Sequence, residues 1–252
     1  MRKVFRTIIF GAAIIACSCN SMPASFEETG HSDADWKLVF EENFDGSEVN
    51  ASVWSMYDGP GHAGHGLRSP EAFTVEDGCL VITGEMKNGK VVSGGMAHKE
   101  NYLYNTRWEF RARCDEDPEN VMSGVVLTWP ESNIWPDNGE LDIFETLCQH
   151  PRKPLHTFFH YGSDNSQTHT EYDVDATQWQ NMALEWFEDA IYVYLNGERV
   201  YTITDKAVIP SWPHHICLQL DAFKHELEGI VKMQVDYVRI YKCDPSTHKH
   251  VE

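Results

Sequence analysis

Three carboxylates fall within six residues: Glu140, Asp142 and Glu145, in the run Trp135-Pro-Asp-Asn-Gly-Glu-Leu-Asp-Ile-Phe-Glu-Thr146. Asp137-Asn-Gly139 is a turn signal, so a strand is expected to start at Glu140. Alternation then sets Glu140 and Asp142 on one face and Leu141 and Ile143 on the core side. Carried on unbroken, it would bury Glu145 without a partner, which is costly. One extra residue near Ile143-Phe144, a β-bulge, returns Glu145 to the acidic face and Phe144 to apolar surroundings. Clustered acids usually mean a solvated strand face, but these sit among Trp129, Trp135 and Phe144. Chemistry gives them a reason to be there. A retaining glycosidase needs one ionised carboxylate as nucleophile and one protonated carboxyl as acid, roughly 5–5.5 Å apart. Asp142 between them would hydrogen-bond the nucleophile and push the two glutamate pKa values apart.

Strands must position this row, and the rest of the chain reads as strands. Thr74 to Thr83 is strand, Asp-Gly turn, strand. Arg107 to Arg113 alternates Trp108, Phe110 and Ala112 against Glu109, Arg111 and Arg113. Ile191 to Ile203 carries Asn196-Gly197 between two alternating runs, the strongest short-range hairpin signal, and Val231 to Tyr241 alternates again. Helical periodicity is scarce. Many short strands with Gly and Pro turns argue for an all-β sandwich or barrel, with no internal repeat and no second domain.

The chain has 252 residues, 42% of them apolar and 12% aromatic, enough for one large core. A formal net charge of −19 argues against nucleic acid as a partner and favours a neutral substrate. Arg2, Lys3 and Arg6 precede a short apolar run, Ile8 to Ala16, which reads as an export signal over 1–17. It ends at Ile14-Ile15-Ala16-Cys17, which resembles a lipobox. That resemblance implies lipid attachment at Cys17 and a membrane-anchored protein of the bacterial envelope, at the outer membrane or cell surface; an ordinary cleaved signal would make it a secreted protein. Residues 18–35 read as a flexible tether, 36–244 as the folded domain and 245–252, with His248 and His250, as an exposed tail. Of the seven cysteines, six beyond Cys17 allow 15 pairings, or stand as small buried hydrophobes on strands.

Glu140-Leu-Asp142-Ile-Phe-Glu145 matches the Glu-x-Asp-x-x-Glu signature of glycoside hydrolase family 16, the laminarinase and lichenase group, which the chain resembles from Trp36 to Tyr241. Leu38-Val-Phe-Glu-Glu-Asn-Phe-Asp-Gly46, Val75 to Ile82, Ser93-Gly-Gly, Arg107 to Arg113, Phe159-His-Tyr-Gly162, Leu184-Glu-Trp186 and Val235 to Tyr241 follow in the family's order. The resemblance implies a concanavalin-like β-jelly roll of two curved antiparallel sheets with a sugar-binding cleft on the concave face. It implies Glu140 as nucleophile, Glu145 as general acid/base and Asp142 as assisting carboxylate. Trp135 would stack on a sugar ring, and Trp129 and His160 would line the cleft. Catalysis would require no cofactor. A structural calcium is expected at Asp236, with Asn43 standing where many members carry Glu.

The Gly-rich loop Gly59 to Arg68 either is a plain surface loop or brings His62, His65 and Arg68 to the cleft rim to meet sugar hydroxyls. His-x-x-His alone, with no third ligand nearby, is no metal site. The laminarinases' Asn-x-Ala-x-Gly-Gly stretch is replaced by Gln219-Leu-Asp-Ala-Phe223, so the substrate stays open. The leading expectation is a monomeric retaining endo-β-1,3- or mixed β-1,3/1,4-glucanase. A hydrolase or transglycosylase of another neutral β-glycan such as a galactan, and a non-catalytic sugar-binding jelly roll, are the alternatives.

Overall fold

A computed structural model describes residues 31–248. Among them the strands run β1 (Trp36–Glu42), β2 (Trp54–Met56), β3 (Gly59–Pro60), β4 (Leu67–Arg68), β5 (Phe73–Glu76), β6 (Cys79–Lys87), β7 (Lys90–Ser93), β8 (Gly95–His98) and β9 (Thr106–Cys114). They continue as β10 (Met122–Pro130), β11 (Glu140–Glu145), β12 (Leu155–Tyr161), β13 (Ser166–Tyr172), β14 (Gln180–Trp186), β15 (Ile191–Leu195), β16 (Glu198–Ile203), β17 (His214–Ala222) and β18 (Ile230–Cys243). One sheet is ordered β13-β12-β11-β10-β17-β8-β2. The other runs β16-β15-β14-β9-β18-β6-β7-β4-β3, with β1 on β18 and β5 on β6. This is the expected jelly roll, and its core fills the space between the sheets.

The alternation read from the chain decides which side of each strand meets that core. On β9, Trp108, Phe110 and Ala112 are fully buried and join the main cluster. On β17 it is Ile216, Leu218 and Leu220, which leaves His215, Cys217, Gln219 and Asp221 for the opposite face. Burial of that many large side chains, each worth about 1.5–3 kcal/mol, locks the register, since a one-residue slip would turn every strand inside out. Asn196 and Gly197 both take positive φ (49° and 90°) and join β15 to β16, as the primed turn of a two-residue hairpin requires.

Two boundaries differ from the sequence reading. The tether was expected to reach residue 35, yet Ala34 is buried and the Ser32 N–H donates to both oxygens of Glu185, at 3.1 and 3.3 Å. Glu185 is itself wholly buried, held by Arg107 at 2.8 Å and the Tyr194 hydroxyl at 3.1 Å, so it needs every donor it receives. Residues 245–248 were expected to be an exposed tail. Instead the His248 ring stacks on Phe187 (3.6 Å, 7°) and faces Asp189 at 3.0 Å, and it is buried. His250 lies outside the described residues. Cys114, Cys148, Cys217 and Cys243 are free thiols, three of them buried, which is the small-hydrophobe alternative rather than the disulfide one.

Candidate active site

The concave face of the seven-stranded sheet floors a cleft of about 770 Å³. β10 and β17 pair from Met122↔Ala222 to Pro130↔His214, so Ser123, Val125, Leu127 and Trp129 lie beside His215, Cys217, Gln219 and Asp221 on that floor. β11 adds the three carboxylates. Its register explains how: Val126 pairs with Phe144 but Leu127 with Asp142, and on the other side Asp142 pairs with Phe158 and Glu145 with His156. Ile143 is the additional residue against β10, and Ile143 and Phe144 together oppose the single Thr157 of β12. The bulge therefore sits where the sequence places it, and Leu141, Ile143 and Phe144 are all fully buried in the core. Gly139 enters the strand at φ 84°, and a Cβ there would come within 2.7 Å of Pro210, so the turn before Glu140 requires glycine.

Burial raises the pKa of all three carboxyls above the ordinary carboxylate range, and mutual repulsion adds to it for the glutamates. They do not share the strain equally. Glu140 Oε2 accepts a 2.6 Å hydrogen bond from the Trp135 indole N–H, which favours its ionised form. Glu145 accepts no hydrogen bond among the described residues and is repelled by both Asp142 and Glu140. Of the two glutamates, Glu140 is therefore the one whose ionised form has a hydrogen-bond donor. Asp142, 5% exposed, meets His160 Nε2 at 3.4 Å. His160 Nδ1–H donates to Asn165 Oδ1 at 2.8 Å, which turns Nε2 toward Asp142.

The sequence-predicted residues converge here. Trp135 is 41% exposed, with its ring parallel to Trp129 (6.4 Å, 8°) and near His160 (5.9 Å). Trp129 lines the cleft and donates to Asn133 at 2.9 Å. His62 reaches the cleft through the Gly-rich loop and stacks on Phe223 at 4.5 Å, while His65 stacks on His225. Arg68 lies in the wall, bonded twice to Asp221 (2.9 and 2.6 Å) over the ring of Tyr57. Sequence reasoning passed over Tyr57, Phe158 and Asn165. Gln219 and Asp221 entered it only as part of the stretch that replaces the laminarinases' Asn-x-Ala-x-Gly-Gly, without a role of their own.

Two other expectations fall elsewhere. Asp236 is the extra residue of a bulge in β18 and binds Arg111 at 2.7 Å, while Asn43 follows β1 and is half-buried. The neighbouring Glu42 carboxylate already accepts from Phe44 N and Trp54 Nε1. A lone carboxylate seated on a guanidinium does not suit calcium, which takes six to eight oxygens. Cys17 lies outside the described residues.

The model of the 3-keto-alpha-glucoside-1,2-lyase-like domain family matches residues 36–235. A β-glucanase of Rhodothermus marinus is 27% identical, with 94% of each chain covered. The catalytic domain of an endo-1,3-β-glucanase (laminarinase) from Thermotoga petrophila superposes with a TM-score of 0.72 at 21% identity, over 84% of this chain and 99% of that one. A structure described with endo-acting O-glycanases of the human gut microbiota that initiate mucin breakdown gives 0.73 at 20%, over 82% and 100%. These likenesses agree with the resemblance to glycoside hydrolase family 16 and with the jelly-roll fold.

Proposed function

The chain belongs to the 3-keto-alpha-glucoside-1,2-lyase-like domain family, and from that premise we propose that it is a retaining endo-β-glucanase acting on β-1,3- or mixed β-1,3/1,4-linked glucan. The observation that carries the chemistry is the unequal pair on the bulged strand: Glu140 with a hydrogen-bond donor, Glu145 without one among the described residues. Glu140 attacks the anomeric carbon while Glu145 delivers its proton to the leaving oxygen. Glu145 then takes a proton from water, which cleaves the glycosyl-enzyme. Asp142, close to His160, adds a negative charge that opposes ionisation of both glutamates. Trp135 gives a sugar ring an exposed face at the cleft mouth.

Support for the substrate class comes from the relatives named β-glucanase and from the charge of the cleft. Arg68 is neutralised by Asp221 and the floor carries further carboxylates, an environment for a neutral glycan. The family description names a lyase on keto-glucosides, whose reaction calls for a single base beside a ketone; a pair of glutamates at the two ends of one bulged strand is what retaining hydrolysis uses. Export with a lipid anchor at Cys17, and action as a monomer, belong to the same proposal and rest on the sequence of the first 17 residues and on the absence of any need for a second subunit in the cleft.

The test is reducing-sugar release from laminarin, mixed-linkage glucan, a neutral galactan, a mucin O-glycan and a 3-keto-α-glucoside, by the wild type beside Glu140→Ala. A covalent adduct on Glu140 from a 2-fluoro-glucoside, seen by mass spectrometry, is the expected mark of the retaining route. Inversion at the anomeric carbon of the released sugar, or turnover that survives Glu140→Ala, would overturn it.

A further inference from the structure

Beyond the catalytic row, the edge of the same sheet holds a second group of donors. His156 lies directly across the ladder from Glu171, and Phe158 from His169. His156, His169 and Glu171 bring one ligand atom each within 4.8 Å of one another. His156 Nδ1 stands 3.0 Å from His169 Nε2. Two imidazole nitrogens on one tetrahedral zinc ion lie about 3.3 Å apart, from bonds of 2.0–2.1 Å, so a small opening of this pair admits the ion.

The surroundings of His156 orient it for such a role. The Gln149 amide nitrogen donates to the Pro154 carbonyl, which turns its oxygen toward His156 Nε2 at 3.4 Å. His156 Nε2 is therefore the protonated nitrogen, and the lone pair of Nδ1 points at His169. Metal-bound histidines are held in just this manner, the far N–H donating to a fixed oxygen. Phe158 packs flat on His169 at 4.2 Å and fixes that ring as well. His156 is buried, while His169 and Glu171 are exposed, so the donors open to solvent on one side.

We propose that His156, His169 and Glu171 form a binding site for a divalent cation of the zinc class, with water completing the coordination. Two imidazoles and a carboxylate are borderline donors that select zinc, nickel or copper over calcium or magnesium. The site is separate from the Glu140, Asp142 and His160 cluster, the other group of His and carboxylate donors within ligand reach among the described residues. Calorimetric titration with Zn²⁺ distinguishes the two, using untagged wild type, His169→Ala, Glu171→Gln and Glu140→Gln. His169 and Glu171 are chosen because they are exposed and can be replaced without opening the core.

One ion per chain is expected in the wild type and in Glu140→Gln, weakened at least tenfold in His169→Ala and measurably in Glu171→Gln. Co²⁺ in place of Zn²⁺ should give the visible absorption of a low-coordinate ion, and His169→Ala should lose it. Absence of binding to the wild type overturns the proposal. So does binding that survives His169→Ala, or that disappears in Glu140→Gln.

Discussion

Replacing Trp135 by Phe removes one donor and keeps an aromatic face beside Trp129. The deleted bond runs from the indole N–H to Glu140 Oε2 at 2.6 Å. A hydrogen bond to an ionised group contributes about 1.5–3 kcal/mol, and the partial exposure of Trp135 places this one at the low end. At 1.36 kcal/mol per unit, the Glu140 pKa rises by about one unit on substitution. The bond favoured the charged form, so the sign is upward. As the proposed nucleophile, Glu140 must be ionised to attack, so the acid limb of kcat/KM against pH is expected to follow it upward by about the same amount. Reducing-sugar release measured across the pH range on the substrate that proves active gives both limbs. Trp129→Phe is the control, because the Trp129 N–H binds Asn133 and no carboxylate; its acid limb must stay in place. A Trp135→Phe limb that does not move, with the loss confined to KM, would refute the assigned donor role and leave Trp135 as a stacking surface alone.

Glu145 is pushed up to about 8 by burial and by its neighbours. A folded-state pKa raised above the unfolded one contributes stability below the ordinary carboxylate range, and that contribution is lost as pH climbs toward 8. Glu145→Gln is therefore expected to be inactive yet more stable than wild type at pH 8, by on the order of 2 kcal/mol and several degrees of Tm, with the difference gone at pH 4; thermal melts at both pH values decide it. Arg68→Ala leaves Asp221 charged and 5% exposed beside three other carboxylates, for a cost of about 3 kcal/mol. Arg68→Ala/Asp221→Asn should recover most of it in urea titrations, and equal losses in the single and double variants would remove the pair from the account. A chain beginning at Trp36 loses the Ser32 donor to buried Glu185. It should melt lower than one beginning at His31 by about 1–3 kcal/mol of stability, and equal melting would show Glu185 satisfied without it.

The bulge was legible because one local conflict, an unpartnered Glu145 turned into the core, has one cheap remedy within the strand. The hairpin at Asn196-Gly197 was legible for a similar reason, as two adjacent residues dictate the turn. Most of what escaped depends on partners far away in the chain. Arg68 meets Asp221 at a separation of 153 residues. Asn165, only five residues from His160, escaped for another reason: it faces that ring through the turn between β12 and β13. His248 looked like tail because its immediate neighbours in sequence are polar; its cover is Phe187, the residue after β14. Asp236 kept its expected place on the last long strand but lost its expected partner to Arg111, a neighbour from β9 that local reading does not see.

Trp36 lies opposite Cys243 in the β1–β18 ladder, and the Asp35 N–H reaches the Thr247 hydroxyl. The two ends of the folded unit thus leave side by side, from the sheet that does not floor the cleft. Anything joined at either end, whether an anchor, a linker or a second module, emerges at the back of the molecule with the cleft mouth facing away. The unit is consequently a cassette: with its ends on neighbouring strands of one sheet, it can be spliced into a loop of another protein and still present its cleft to a long polymer.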